Sequence, residues 1–271
     1  MPRLGSGVLL MILALIGAWL GGIPLAALVG LGLALVVHEG NRALQIRGAP
    51  PSISIMAASL ATLGAVFVLA VSSWYWFALA VAAGGGGVVG MLAMSRGSRT
   101  DAAILGSLVA WVAVAGIAFL WLRATGGWGA IVWLLAVVWA TDTGAYAFGR
   151  VFGGPRLAPR MSPGKTWAGA FGGTAAGIGI GVAAGWVLCT LGGFDTMLEL
   201  TFAVAGAALL SLTGQLGDLV ESAFKRRCGV KDSGVLIPGH GGAFDRLDSL
   251  LAASPALAVL VYALGPAVLG Q

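Results

Sequence analysis

The sequence predicts an all-α, polytopic integral membrane protein with about nine transmembrane helices and a cytoplasmic N-terminus. Of its 271 residues, 59% are hydrophobic and only 9% are charged, and its mean hydropathy is +0.97. A soluble domain carries about 25% charged residues. Apolar runs near the ~20 residues that span the ~30 Å hydrocarbon core of a bilayer recur at 6–21, 23–38, 52–71, 73–94, 101–122, 128–149, 166–190, 198–220 and 246–268.

The placement of lysine and arginine predicts the orientation of these spans. With nine spans, all 15 lysine and arginine residues except Arg123 fall on one side. Cytoplasmic loops of membrane proteins carry an excess of these residues, so this side is expected to be the cytosol. Eight or ten spans would scatter the same residues over both sides, which favours nine.

Composition also limits the function classes. Two cysteines, Cys189 and Cys228, cannot form a disulfide framework, and two histidines cannot supply a zinc cluster. The apolar N-terminus runs on into further spans, so no cleavable signal is expected. We expect residues 1–125 to form transmembrane helices without a soluble domain. Residues 126–271 are expected to form a second transmembrane region, with cytoplasmic loops at 150–165 and 221–245.

The stretch from residue 211 to 249 is the most polar part of the chain. It holds ten of the 25 charged residues (15 Lys and Arg plus 10 Asp and Glu). Charge near a membrane is costly and marks a functional site by default. Four side chains share one face if this segment is helical, at positions i, i+3, i+4 and i+7: Asp218, Glu221, Ser222 and Lys225.

A second pair of acids, Asp245 and Asp248, is spaced i and i+3 after a Pro-Gly-His-Gly-Gly loop at 238–242. We therefore expect two helix ends, each bearing carboxylates, to face each other across a basic loop. Carboxylates suit Mg²⁺, which shares its remaining positions with phosphates and water, and nearby Lys and Arg suit the same phosphates. The alternative is a solvated cytoplasmic loop, which explains the basic residues but not the acids at helical spacing.

A second polar segment covers residues 141–167. Asp142 falls inside a predicted span, with Tyr146 four residues later. Lys165 and Thr166 precede the seventh span, where free backbone N–H groups favour an anion; a positive-inside anchor is an equal alternative. A P-loop is rejected because Pro159 occupies the position of its first glycine and no strand precedes it.

These two segments resemble the phosphatidate cytidylyltransferase (CDP-diacylglycerol synthase) family. The resemblance is carried by Ser222-Ala223-Phe224-Lys225-Arg226, Lys231-Asp232 and the run PGHGGAFDRLD from Pro238 to Asp248, and upstream by Asp142-Thr143-Gly144-Ala145-Tyr146 and Ser162-Pro163 with Lys165-Thr166-Trp167. Gly164, Ala168 and Ala243 depart from the family pattern. The missing acid at position 168 puts an essential role for that position in doubt.

The resemblance implies an enzyme of phospholipid biosynthesis that converts CTP and phosphatidate to CDP-diacylglycerol and pyrophosphate. It implies catalytic roles for Asp218, Lys225, Asp245 and Asp248. Asp218 and Asp245 are expected to bind Mg²⁺, with Asp248 as a further ligand or near a second, monovalent cation such as K⁺. Substrate contacts are expected from Asp142, Tyr146, Lys165, Ser222, Arg226, Lys231, His240, Gly241, Gly242 and Arg246.

The same resemblance implies a homodimer in the bilayer of a bacterial inner membrane, with residues 1–125 as scaffold and dimer region and residues 126–271 as the catalytic region. The active site is expected to face the cytoplasm, and no nucleic-acid partner is expected. Two other functions stay open. One is a nucleotidyltransferase acting on another lipid or polyprenyl phosphate. The other is an ion-coupled transporter, which intramembrane Asp142 and Gly-interrupted helices would suit, although the charges gather at one face and no inverted repeat is evident.

Overall fold

The protein, a computed structural model, is mostly helical. The structure describes residues 2–46, 73–94, 98–194, 198–234 and 241–269, with scattered positions between 56 and 64. Within the described ranges, the helices with complete bounds are named here in chain order: α1 Pro2–Leu20, α2 Gly22–Ile46, α3 Tyr75–Met94, α4 Arg99–Phe152, α5 Trp167–Thr190, α6 Leu200–Cys228 and α7 Phe244–Leu264. A short 3₁₀ helix, Pro266–Leu269, follows α7.

Six of these helices, α2 to α7, are long and apolar enough to cross a membrane, and α1 contributes a shorter apolar helix over Gly7–Leu20. The chain is therefore built as a helical membrane protein. The predicted span at 52–71 lies largely outside the described residues, so the count of nine stays a prediction. The orientation of the N-terminus also stays a prediction.

Helix α4 contains two of the predicted spans. Its 54 residues would measure about 80 Å at ~1.5 Å per residue, enough to cross a bilayer twice. Gly126 (φ −113°, ψ 17°) and Gly127 (φ 63°, ψ −166°) are not helical. A positive φ is readily adopted only by glycine, so this pair interrupts the helix at the boundary that the sequence places between spans 101–122 and 128–149.

A two-stranded antiparallel sheet follows α4, which the all-α prediction did not include. Strand β1 (Arg156–Ala158) pairs with β2 (Ser162–Thr166), with Arg156 opposite Thr166. The predicted loop at 150–165 is thus partly ordered by a hairpin. The predicted loop at 221–245 begins inside α6 and ends inside α7.

The contacts divide the chain into two compact units. The first unit comprises Met1–Trp121 and Phe224–Leu247. Its core includes an aromatic group in which Phe244 lies 5.8 Å from Phe224 and 6.4 Å from Trp111, between ring centroids. Gly86 and Gly106 face each other so closely that a Cβ on either would meet the other's carbonyl oxygen. This is the close helix approach that small residues allow in membranes.

The second unit comprises Leu122–Ala223 and Asp248–Gln271. Buried Trp133 stacks on Phe202 at 5.8 Å and donates from Nε1 to the carbonyl oxygen of Gly181. The buried hydroxyls of Thr141 and Ser211 lie 2.7 Å apart. These hydrogen bonds satisfy polar groups that would be costly to leave unpaired in an apolar interior.

Candidate active site

Three carboxylates of the second unit form a cluster, called here the acidic cluster: Asp218 and Glu221 on α6, and Asp248 on α7. One oxygen of each lies within 4.8 Å of the others. Glu221 is 0% exposed and Asp248 is 9% exposed. Asp218 and Glu221 share a face because they are three residues apart on one helix. Like charges gathered in a poorly solvated place repel one another, so the cluster favours a bound cation.

Two glycines on α6 allow the chain of α7 to come close enough to form the cluster. A Cβ added to Gly217 would collide with the carbonyl oxygen of Asp248 and lie 2.9 Å from Cβ of Ala252. A Cβ on Gly214 would lie 3.5 Å from Cβ of Ser249. Gly217 is therefore the position at which a larger residue would push α6 away from α7, whereas a methyl group at Gly214 would make an ordinary van der Waals contact.

Lys165 is the basic partner of the acidic cluster. Its Nζ lies 2.5 Å from Oδ2 of Asp218, and the Ser222 hydroxyl donates to Oδ1 of the same carboxylate at 3.4 Å. Lys165 is the penultimate residue of β2, and Thr166, the last residue of the strand, caps α5 by accepting a hydrogen bond from the Gly169 amide at 3.0 Å. The hairpin and the helix cap thus place this lysine.

Helix α4 adds a third side to this part of the second unit. Asp142 lies close enough to act electrostatically on Asp248, as do Asp218 and Lys165. Tyr146, one turn further along α4, is largely exposed and accepts a hydrogen bond from Arg150 at 2.8 Å. Two polar segments that are far apart in sequence therefore meet in one unit.

Asp245, predicted as a metal ligand, belongs to the first unit and is surrounded by donors. Lys225 Nζ lies 2.6 Å from its Oδ1. Its Oδ2 accepts hydrogen bonds from the Ser233 amide (3.0 Å), the Ser233 hydroxyl (2.8 Å) and the Gly242 amide (2.8 Å). A carboxylate offers about four acceptor sites, so most of its capacity is used. Whether Asp245 shares a cation with Asp218 stays a prediction.

The remaining predicted site residues are three cations, two glycines and a histidine. Arg226, Lys231 and Arg246 are exposed, as solvent-facing phosphate contacts would be. Gly241 has a φ of 80° and Gly242 is buried. His240 lies outside the described residues. The roles of these residues stay predictions.

Sequence reasoning left two acids out of the predicted site. Glu221 was placed on the same helix face as Asp218 but was given no role, although its i+3 spacing was a usable signal. Glu39 is absent from the predicted site, although its side chain is only 1% exposed and accepts hydrogen bonds from the amides of Ala243 and Phe244. No sequence signal links Glu39 to residues about 200 positions later.

The donor set of the acidic cluster fits a hard divalent cation. Carboxylate oxygens are the ligands of Mg²⁺, and the described cluster contains neither thiolate nor imidazole, which softer metals prefer. Together with the apolar helices, these features define a helical membrane protein with a metal-suited acidic site beside a lysine.

Comparison with known proteins identifies the family. The profile of the cytidylyltransferase family matches residues 1–264, and the chain belongs to this family. A phosphatidate cytidylyltransferase of Brucella suis is 49% identical over 139 residues, which are 51% of this chain and 47% of that protein. The Pseudomonas aeruginosa protein of the same name is 44% identical over 137 residues, 51% and 49% of the two chains.

A third relative, the phosphatidate cytidylyltransferase of Staphylococcus haemolyticus, is 43% identical over 173 residues, 63% of each chain. The chain thus spans about half the length of the first two relatives that it matches, and under two thirds of the third. The relatives' names identify what those proteins do. For this chain the corresponding activity is a proposal.

Proposed function

We propose that this protein transfers a cytidylyl group from CTP to phosphatidate, giving CDP-diacylglycerol and pyrophosphate. The observation that carries the proposal is the acidic cluster beside Lys165 in a chain of the cytidylyltransferase family. The names of the three relatives support phosphatidate as the acceptor. The apolar helices are consistent with a substrate that resides in a bilayer.

The reaction joins two polyanions. A phosphate oxygen of phosphatidate attacks the α-phosphorus of CTP and forms a new P–O–P bond. The bond from the α-phosphorus to the oxygen that bridges it to the β-phosphorus breaks, and pyrophosphate leaves with that electron pair. The attacking oxygen is already ionised near neutral pH, since the second pKa of a phosphate monoester is about 6. The protein is therefore required to screen charge and align the reactants rather than to supply a general base.

Mg²⁺ is the proposed cofactor, held by Asp218, Glu221 and Asp248. When bound, it would neutralise phosphate charge and stabilise the departing pyrophosphate. Lys165, which pairs with Asp218, is proposed to contact phosphate at the same location. Ser222 steadies Asp218 by its hydrogen bond. A second, monovalent cation such as K⁺ also stays a prediction for this site.

The basic residues of the first unit are proposed to bind phosphate groups. Arg226, Lys231 and Arg246 supply exposed positive charge, and the Asp245 carboxylate orients Lys225. His240 and the Gly241 amide are proposed as donors to phosphate oxygens, whereas the Gly242 amide already donates to Asp245. Asp142 and Tyr146 are proposed to line the wall of the substrate site.

The membrane arrangement is also a proposal. Nine spans, a cytoplasmic N-terminus and a site open to the cytosol follow from the one-sided placement of lysine and arginine. The named relatives are bacterial, so the bacterial plasma membrane, which is the inner membrane where there are two, is proposed as the location. A homodimer is expected from the family resemblance. Crosslinking in native membranes and the accessibility of single cysteines introduced at each predicted loop would test these statements.

Pyrophosphate release by the purified protein in detergent tests the proposed activity. We expect release that requires Mg²⁺, CTP and phosphatidate together, and formation of CDP-diacylglycerol in equal amount. Parallel reactions with dCTP, ATP, GTP and UTP, and with a polyprenyl phosphate in place of phosphatidate, define both substrates. Pyrophosphate release with polyprenyl phosphate but not with phosphatidate would indicate a different acceptor. No release with any combination of nucleotide and acceptor would reject the proposal.

A further inference from the structure

Glu39, a buried acid on α2, caps the beginning of helix α7. Its Oε1 accepts a hydrogen bond from the Ala243 amide and its Oε2 accepts one from the Phe244 amide, both at 2.9 Å. The first amides of a helix lack partners within the helix, and a side chain at the N-cap usually satisfies one of them. Ala243, which precedes the first helical residue, has no side-chain acceptor. Glu39 therefore provides from a distant helix the cap and negative charge that this end of α7 favours.

The backbone around Glu39 is shaped to fit it. Gly242 approaches Oε2 so closely that a Cβ would collide with the carboxylate, and a Cβ on Gly234 would lie 2.5 Å from Oε1. Both glycines are thus required by the position of one carboxylate. At Gly242, the second glycine of the pair that ends the Pro-Gly-His-Gly-Gly loop, the need for glycine is therefore explained without any ligand.

Ser233 links Glu39 to the charged pair of the same unit. Its hydroxyl lies 2.9 Å from Oε2 of Glu39 and 2.8 Å from Oδ2 of Asp245, and its amide donates to the same Asp245 oxygen. Asp245 in turn pairs with Lys225 through Oδ1. A continuous set of contacts therefore runs from Glu39 through Ser233 and Asp245 to Lys225.

We propose that Glu39 is a positioning residue, which fixes the start of α7 and Ser233 and so holds Asp245 and Lys225 in the arrangement that binds nucleotide phosphate. The phosphate-binding part of this statement rests on the proposed function. The anchoring part rests on the contacts alone. Glu39 accepts two backbone hydrogen bonds, and the Ser233 hydroxyl, whose single hydrogen points to either Glu39 or Asp245, lies against its Oε2. A buried carboxylate with these donors costs less to retain than an unpaired one.

Glu39→Gln is the sharpest test, because it keeps the size of the side chain while replacing one acceptor oxygen by an NH₂ donor. Glu199→Gln, at an exposed acid just before α6, is the matched control. Hydrogen exchange followed by mass spectrometry measures the exchange rates of the Ala243 and Phe244 amides. Steady-state kinetics measures kcat and KM for CTP. Ser233→Ala, alone and combined with Glu39→Gln, measures whether the two residues act together.

In the Glu39→Gln variant, we expect the amide hydrogens of Ala243 and Phe244 to exchange with solvent faster than in wild type. We also expect the KM for CTP to rise about tenfold, with a smaller change in kcat. The effects of Glu39→Gln and Ser233→Ala on KM should be less than additive. Glu199→Gln should behave as wild type. Unchanged exchange at these amides, or an unchanged KM in a variant with altered exchange, would overturn the proposal.

Ser233→Ala decides the matter if Glu39→Gln fails to fold, since it leaves the capping bonds intact. A raised KM for CTP then supports the proposal, and a normal KM overturns it. A wild-type protein without cytidylyl transfer would reject the proposed function, whereas the exchange measurement would still decide whether Glu39 anchors α7.

Discussion

The two units of this protein each bury carboxylates, but they surround them differently. In the second unit, Asp218, Glu221 and Asp248 face one another, and Lys165 is the cation paired with Asp218. In the first unit, Glu39 and Asp245 are enclosed by backbone amides, the Ser233 hydroxyl and Lys225. One group gathers negative charge, and the other has its charge compensated by the protein.

We infer from this difference that the acidic cluster binds a ligand and that the acids of the first unit stabilise the structure around them. A carboxylate whose lone pairs are already occupied by protein donors has little capacity left for a metal ion. Carboxylates that point at one another gain most from a shared divalent cation. We therefore expect substitutions in the acidic cluster to change the metal requirement, and substitutions in the first unit to change stability and nucleotide binding.

Asp218→Asn should have the largest effect. The variant loses charge at the acidic cluster and its ion pair with Lys165, so we expect kcat to fall about 10³-fold, or about 4 kcal/mol in activation free energy. Elution in detergent and the melting temperature should stay close to those of wild type. A kcat within about tenfold of wild type would show that Asp218 is not part of the active site.

Glu221→Gln should follow, and it tests the acid that sequence reasoning passed over. An amide is a weaker ligand than a carboxylate, so we expect kcat at saturating Mg²⁺ to fall about 10²-fold and the Mg²⁺ concentration for half-maximal rate to rise about tenfold. Kinetics over a Mg²⁺ series measures both. A normal Mg²⁺ dependence would make Glu221 a structural acid, like Glu39.

Asp245→Asn should lower kcat/KM for CTP about tenfold and leave the Mg²⁺ dependence within about twofold of wild type. The reason is that Lys225 loses its paired carboxylate, whereas the acidic cluster is unchanged. A large rise in the Mg²⁺ requirement would instead support the sequence-based prediction that Asp245 is a metal ligand.

Among these four variants, Gly217→Ala should have the smallest effect on kcat, but it should clearly lower the stability of the protein. The added methyl would press on the carbonyl of Asp248 and on Ala252, and overpacking of this kind costs about 1–3 kcal/mol. Gly179→Ala, where nothing lies within 4 Å of the added Cβ, is the matched control. A thermal shift assay should find a lower melting temperature for Gly217→Ala only, and equal melting temperatures would refute tight packing at Gly217.

Several features were accessible from sequence because they depend on local spacing or composition. Apolar runs predicted helices at 73–94, 166–190 and 198–220, and α3, α5 and α6 occupy these regions. The helical spacing of Asp218 and Glu221 predicted a shared face. The motif residues identified the family, which the profile over residues 1–264 confirms.

Other features depend on contacts between distant residues. Nothing in the local sequence pairs Glu39 with Ala243 and Phe244, because the cap is supplied by a helix about 200 residues away. The hairpin of β1 and β2 is short and contains Pro163, which disfavours a strand. The pairing of Lys165 with Asp218 requires the packing of α5 on α6, which no periodicity specifies.

Binding of Mn²⁺, a spectroscopic substitute for Mg²⁺, tests the central distinction most directly. Electron paramagnetic resonance of the purified protein would be compared for wild type, Glu221→Gln and Asp245→Asn, without any substrate. The account predicts that wild type and Asp245→Asn bind Mn²⁺ with similar affinity and that Glu221→Gln binds it at least about tenfold more weakly. Loss of binding in Asp245→Asn with full binding in Glu221→Gln would contradict it.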